Sequence, residues 1–253
     1  MIVVFNESYQ NFENKLLDCI VDFDSKGDDF IIGTRNRIKL FSLDELTINI
    51  KSFKIPSFIN KIIYEYFRKS KAKRSFEFAN KLITLGIGTP DPIGFIEFYS
   101  FFGLQKSFYI SQQLKCDLTF RELVEIPNYP DNLNILKQFT QFSFDLHEKG
   151  IEFLDHSPGN TLIKKNDEGK YDFFLVDLNR MNFHQSMPFE MRMKNLCRLT
   201  PHKEMLEVIA NEYAKLSGIS EKKIFETLLK LTINFQEKFY RKKRLKRKFM
   251  FWK

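Results

Sequence analysis

The chain has 253 residues, 43% of them hydrophobic and 15% aromatic, and a formal net charge of +8. It is too apolar for a disordered protein and long enough for one large core or two lobes sharing a cleft. Nine basic residues and no acidic one fall within 238–253, which leaves −1 for residues 1–237. The body is nearly neutral, and the basicity belongs to a tail that would meet an anionic partner at one end. No stretch reaches the roughly 18 uncharged apolar residues of a membrane-spanning helix. Residues 1–10 carry Glu7 and lack the basic-then-apolar pattern of a secretory signal. Cys19, Cys116 and Cys197 lie far apart with no C-x-x-C, which excludes a disulfide scaffold and a cysteine zinc cage. A cytoplasmic location is the expectation.

A short strand over 2–5 precedes a helix over about 9–21, in which Phe12, Leu16, Cys19 and Ile20 share one side. Alternation over 30–33, 37–41 and 46–53 predicts consecutive antiparallel strands. A helix over about 70–85 stops at Gly86, with Pro90 and Pro92 forbidding its continuation. Strands over 93–98 and 107–112 complete this half. Beyond them, Leu133, Leu136, Phe139, Phe142, Ser143 and Leu146 keep helical spacing up to a stop at Gly150. A β-hairpin interrupts, with arms over 161–164 and 171–176 and a polar turn through Asn166, Asp167 and Gly169. Helices follow over 189–199, 203–216 and 220–235, and the basic stretch continues the last one. There is no internal repeat and no Gly/Ser linker. The order predicts a two-lobed α+β architecture: residues 1–113 with an antiparallel sheet and one helix, residues 114–237 mainly helical, and a basic aromatic tail over 238–253.

The chemistry concentrates after Gly150. Asp155-His-Ser-Pro-Gly-Asn160 is by itself equally well read as an Asp and an Asn serving a Pro-Gly turn. The hairpin that follows adds weight. Antiparallel pairing of its arms brings the flanking residues, Asn160 and Asp177, side by side at its open end, and Asp155 arrives there from the preceding loop. Two carboxylates and an amide at one point make a hard, oxygen-rich site suited to Mg²⁺. The run Phe173-Phe-Leu-Val176 is wholly apolar, so Asp177 is expected at the edge of the core, where a carboxylate without a cation is costly.

This layout resembles the protein-kinase-like enzymes. Asp155 and Asn160 match the catalytic-loop D-x4-N, and Asp177-Leu-Asn179 stands in the place of D-F-G. Ile48-Asn-Ile-Lys51 resembles the lysine-bearing strand, and Glu77 falls on the helix that supplies that lysine's partner. The wording is closer still to the lipopolysaccharide kinase family that phosphorylates Kdo or heptose, in particular its Kdo-kinase branch. Asn49-Ile-Lys-Ser-Phe-Lys-Ile-Pro56, Arg68-Lys-Ser-Lys-Ala-Lys-Arg-Ser-Phe-Glu77, Gly86-Ile-Gly-Thr-Pro90 and Val176-Asp-Leu-Asn-Arg180 carry that likeness, in order, together with the 155–160 loop. The resemblance implies a kinase fold with ATP and Mg²⁺ between the lobes. Asp155 would receive the proton of the attacking sugar hydroxyl, Asn160 and Asp177 would hold Mg²⁺, and Lys51, fixed by Glu77, would contact the α/β-phosphates. Gly33 and Asn36 lie where a phosphate-covering loop belongs, with one glycine in place of G-x-G-x-x-G. Phe153-Leu154 replaces His-Arg before Asp155, and no A-P-E follows Asp177; both departures suit a small-molecule or glycolipid kinase better than a regulated protein kinase. Asn179 replaces the D-F-G glycine.

Plainer readings stand beside these. Lys54 competes with Lys51, although period-2 alternation puts the two on opposite faces and Lys51 ends the 48–50 alternation. Glu77 is also spaced for an i±4 pair with Lys73 or Lys81. His156 is expected to pack or hydrogen-bond locally, and His147 to serve as a C-terminal dipole partner of its helix. His184 and His202 have no metal-site spacing, and Arg180 would meet an anionic substrate or anchor its loop through an acid such as Glu152. In the tail, Leu245, Phe249 and Trp252 share a face amid Lys and Arg, which fits an interfacial helix on an anionic membrane surface. Nucleic acid is the rival partner, and a solvated face packed on the helical lobe is the third reading. The lipid-linked sugar substrate implied by the resemblance, Kdo-lipid A or similar, favours the membrane over nucleic acid. The expectation is an ATP-dependent kinase acting on an inner-core sugar hydroxyl, cytoplasmic and peripheral at the inner membrane. Its rivals are a kinase for a protein or another small molecule, and a non-catalytic kinase-like module that binds through its tail.

Overall fold

The computed structural model describes residues 1–32, 36–53, 69–101 and 103–250, with the backbone alone for Ile32 and for 246–250. The chain divides into two units, Met1–Lys115 with Leu175–Arg180, and Cys116–Phe174 with the residues from Met181 onward. In the first, β1 (Ile2–Phe5) leads through a 3-10 turn (Glu7–Phe12) into α1 (Glu13–Val21). Then come β2 (Asp28–Ile32), β3 (Asn36–Leu43), β4 (Leu46–Phe53), α2 (Lys71–Thr84), β5 (Pro92–Ser100) and β6 (Gly103–Gln112). The six strands form one antiparallel sheet in the order β1-β5-β6-β4-β3-β2.

Alternation splits the side chains of this sheet between two faces. Ile48, Ile50, Ile96, Phe108 and Ile110 join Leu16 and Ile20 of α1 in one core. Phe53 and Phe95 turn the other way and pack with Ala72 and Phe76 of α2. Ser70 caps α2 by accepting the Lys73 N–H at 3.0 Å, and Gly86, at φ +69°, follows its end. The helix expected over 9–21 begins late. Asn6 donates to the Pro92 carbonyl at 2.6 Å, and Tyr9 N–H closes on the Asn6 carbonyl three residues back, so the first turns are 3-10.

The second unit contains β7 (Leu118–Thr119), α3 (Phe120–Glu125), α4 (Asn132–Glu148), β8 (Ile151–Phe153), β9 (Thr161–Lys165), β10 (Tyr171–Leu175), β11 (Met181–Phe183), α5 (Phe189–Leu196), α6 (Lys203–Ser217) and α7 (Glu221–Met250). Its strands form a three-stranded sheet, β10-β9-β7, and the β11-β8 pair. Phe120, Phe139, Phe173, Met193, Leu206 and Tyr213 lie in its core, with the Phe120 and Phe139 rings 4.2 Å apart. The short elements β7, α3, β8 and β11 are absent from the sequence expectation, because two to six residues are too few to display a period. Gly150, at φ +70°, turns α4 into β8, and its carbonyl accepts the His184 N–H at 2.8 Å. A Cβ at Gly150 would lie 2.0 Å from the His184 carbonyl oxygen, so the β8-β11 pairing admits only glycine there.

Candidate functional site

In the first unit, Lys51 sits on the α2 face of β4, opposite Ile38 of β3 and Tyr109 of β6. Its Nζ lies 2.5 Å from Asp177 Oδ1 and 5.4 Å from the centre of the Phe53 ring. Asn179 Nδ2 donates to the same Asp177 oxygen at 2.8 Å. Asp177 has φ +60°, a left-handed conformation that aspartate tolerates better than bulky residues do. Its approach is pinned from a region where the sequence suggested only a likeness. Leu175 N–H donates to the Gly88 carbonyl, and the buried Thr89 hydroxyl donates to the Leu175 carbonyl, each at 2.9 Å. The Gly86–Pro90 stretch thus carries the backbone that presents Asp177.

Glu77 is paired otherwise than the resemblance implied. Lys69, just ahead of α2, reaches both of its carboxylate oxygens at 2.8 and 2.9 Å, while the Lys51 ammonium is engaged by Asp177. Neither Lys51 nor the i±4 lysines Lys73 and Lys81 take Glu77 in this structure. Asn36 opens β3 opposite Phe53, and its Oδ1 is buried with no hydrogen-bond partner among the described residues. Gly33 and Lys54 lie outside the described residues.

In the second unit, Asp155 follows β8 in a tight turn. His156 N–H closes on the Phe153 carbonyl at 3.1 Å, and Asn160 N–H on the Ser157 carbonyl at 2.9 Å. Asn160 Nδ2 donates to the Asp155 carbonyl at 2.8 Å, so the two ends of the D-x4-N loop are tied together. Arg198 donates to the Leu154 carbonyl at 2.7 Å, and its guanidinium is 3.9 Å from Asp155 Oδ1. No local signal announces this arginine, because 44 positions separate it from Leu154. His184 and Asn182 hold Glu152, at 3.0 and 2.9 Å.

His147 behaves differently from expectation, whereas His156 packs locally as expected, its ring 5.6 Å from that of Phe153. His147 is fully buried, and burial pushes its pKa down to about 3, so it is neutral and cannot serve as a cationic dipole partner. Burial likewise holds His156 near 4, and its partner is Asn195, 39 positions away, at 3.3 Å. From Glu237 to Leu245 every residue of α7 is exposed, Phe239 and Tyr240 about half so. Over that stretch the tail does not pack on the helical unit. The side chain of Phe249 and all of Trp252 lie outside the described residues. No described helix is long and apolar enough to cross a membrane.

The donor chemistry fits a hard cation at each of the two expected ligands. Asp177 uses Oδ1 for Lys51 and Asn179, and Oδ2 has no hydrogen-bond partner among the described residues. The amide nitrogen of Asn160 is committed to the Asp155 carbonyl, and its Oδ1 has no hydrogen-bond partner among the described residues. Carboxylate and amide oxygens are what Mg²⁺ selects.

Comparison by sequence finds no matching family model and no matching curated protein. Comparison by structure does find likeness. The solved structure of WaaP in complex with acyl carrier protein superposes with a TM-score of 0.62 at 16% identity, over 94% of this chain and 98% of that one. The fold is protein-kinase-like. A MAP kinase from Leishmania major, 16% identical, covers 86% of this chain and 66% of its own, with a TM-score of 0.46. A Stt7 homolog from Micromonas algae, soaked with ATP, is 12% identical and covers 60% of this chain and 48% of its own, with a TM-score of 0.41.

Proposed function

We propose that this chain is an ATP-dependent kinase that phosphorylates a hydroxyl of Kdo, or of another inner-core sugar, on a lipid-linked acceptor. The observation that carries the phosphotransferase reading is the ion pair between Lys51 and Asp177, 126 positions apart, which the kinase resemblance assigns to phosphate and metal. The sugar rests on the motif likeness between residues 49 and 180. In this reading the acceptor oxygen forms a bond to the γ-phosphorus, and the bond from that phosphorus to the β,γ-bridging oxygen breaks to leave ADP. Asp155 takes the hydroxyl proton, and Arg198 sets the backbone beside it. Lys51 gives up Asp177 for the α/β-phosphates, and Glu77, released from Lys69, steadies it. Asn160 and Asp177 are the residues that would hold Mg²⁺, which would supply neutralisation of the phosphate charge.

The basic helix gives the enzyme a place to work. Lys238, Arg241, Lys242, Lys243 and Arg244 are exposed beside Phe239 and Tyr240, and near anionic lipid each cation contributes about 1 kcal/mol. The proposed location is therefore the cytoplasmic face of the inner membrane. Truncation after Glu237 should abolish binding to anionic vesicles, measured by co-sedimentation; undiminished binding would refute the tail's role. The activity is tested by mass spectrometry of Kdo-lipid A after incubation with protein, ATP and Mg²⁺. Wild type should add one phosphate to the Kdo, and Asp155→Ala should lower the rate about 10²- to 10⁴-fold. No addition by wild type would sink the Kdo assignment.

A further inference from the structure

A chain of buried polar side chains runs through the second unit, and its hydrogens can be placed one after another. Asn195 Nδ2 lies 2.8 Å from the Phe153 carbonyl, which only accepts, so the amide has one possible orientation. Its Oδ1 faces both imidazoles, so His156 donates to it from Nδ1 and His147 from Nε2, each at 3.3 Å. A neutral His147 then accepts at Nδ1, and the Tyr213 hydroxyl of α6, 2.8 Å away, donates to it.

His147, His156 and Tyr213 have no exposed surface, and Asn195 is 6% exposed. Each helix contributes one member: α4 gives His147, α5 gives Asn195, and α6 gives Tyr213. The loop that follows β8 gives His156. His156 Nε2 is buried with no hydrogen-bond partner among the described residues; as a bare lone pair it is tolerable, whereas an N–H there would be a stranded donor. A charged ring would supply that N–H. The chain therefore works in one direction and with neutral rings.

We propose that Asn195 is a positioning residue for Asp155: oriented by the one-way chain from Tyr213 through His147, it grips the Phe153 carbonyl and the His156 ring on either side of Leu154-Asp155. The loop's backbone is then set from three helices rather than by its own short turn. The role rests on the reading of Asp155 as the base, but the grip itself can be examined without any activity.

Four histidines make the rings resolvable in ¹⁵N-labelled protein. Long-range ¹H–¹⁵N spectra of the full chain at neutral pH should show His147 protonated on Nε2 and His156 on Nδ1; the opposite tautomer at either ring would overturn the proposal. Hydrogen exchange gives the second arm. Asn195→Ala should speed exchange of the His156 and Asn160 amides about tenfold or more while α6 keeps its protection. His147→Leu, which removes no bond to the loop, should do the same through Asn195, and should serve if Asn195→Ala does not fold. Unchanged loop exchange in a folded variant would refute the grip. In the kinase assay Asn195→Ala should lower kcat about tenfold with KM for ATP within about twofold. A fall confined to KM would overturn the positioning role. If wild type transfers no phosphoryl group, the activity reading fails, and the tautomer and exchange arms still decide the grip.

Discussion

Lys51 with Asp177 in the first unit, and Asn195 with its two histidines in the second, are both polar clusters at the expected catalytic residues, yet they meet water differently. The side chains of Lys51 and Asp177 are 13% and 34% exposed and form an ion pair, and one carboxylate oxygen has no hydrogen-bond partner among the described residues. The histidines are wholly enclosed and neutral. A partly wet ion pair exchanges partners at little cost, because solvent screens both states. An enclosed network has no such freedom, since every unmade bond is an unsatisfied buried group. The contrast suits a division of labour in which charges that must respond to a ligand stay near solvent, and the loop that must not move is held in a dry frame.

The largest expected effect probes the rigid frame. Gly150→Ala places a Cβ against the His184 carbonyl at a left-handed residue, and should lower unfolding free energy by about 3 kcal/mol or more. Gly169→Ala, at φ +77° with nothing within 4 Å, should cost only about 1 kcal/mol. Equal losses in urea titrations would mean that backbone conformation, and not the β8-β11 contact, makes the frame strict.

Acid sharpens the comparison next. His147 and His156 are held at about 3 and about 4 when folded and revert towards 6.5 when unfolded. Below pH 6.5 the unfolded chain binds more protons, so stability should fall with falling pH, by about 1 kcal/mol per histidine per pH unit, until the folded rings titrate. His147→Gln should flatten that slope in urea titrations between pH 6.5 and 4.5. A slope unchanged by the substitution would show that the network does not demand a neutral ring.

The smallest effect belongs to the adjustable side. Lys69 is 57% exposed in its pair with Glu77, so Lys69→Ala should shift stability by no more than about 0.5 kcal/mol. A thermal shift equivalent to over about 1 kcal/mol would make that pair structural and would break the contrast.

Much of this could be read before any coordinates. The alternation over 46–53 and the helical spacing from Leu133 to Leu146 correspond to β4 and α4, because both segments are long and bury one face. Gly86 and Gly150 were legible as stops, since positive φ is a local property. The Thr119-x-x-Glu122 capping box is equally present in the sequence, but it opens an element of only six residues, too short for a periodic signal to accompany it. Other features had no local trace. Arg198 reaches Leu154 from far along the chain, and Lys69 instead of Lys51 takes Glu77; both follow from which charge is nearest once the helices are placed.

By itself, then, the sequence determined the order of strands and helices, the stops between them, the basic tail, and the residue types around Asp155, Asn160 and Asp177. These follow from periodicity, glycine and proline geometry, and composition, which act within a few residues. Only the tertiary structure decided that His147 and His156 are neutral members of one hydrogen-bonded chain, that Gly88 and Thr89 carry the approach to Asp177, and that the helix beyond Glu237 stands clear of the unit it leaves. Burial and long-range hydrogen bonds decide those things, and both depend on what the rest of the chain brings near.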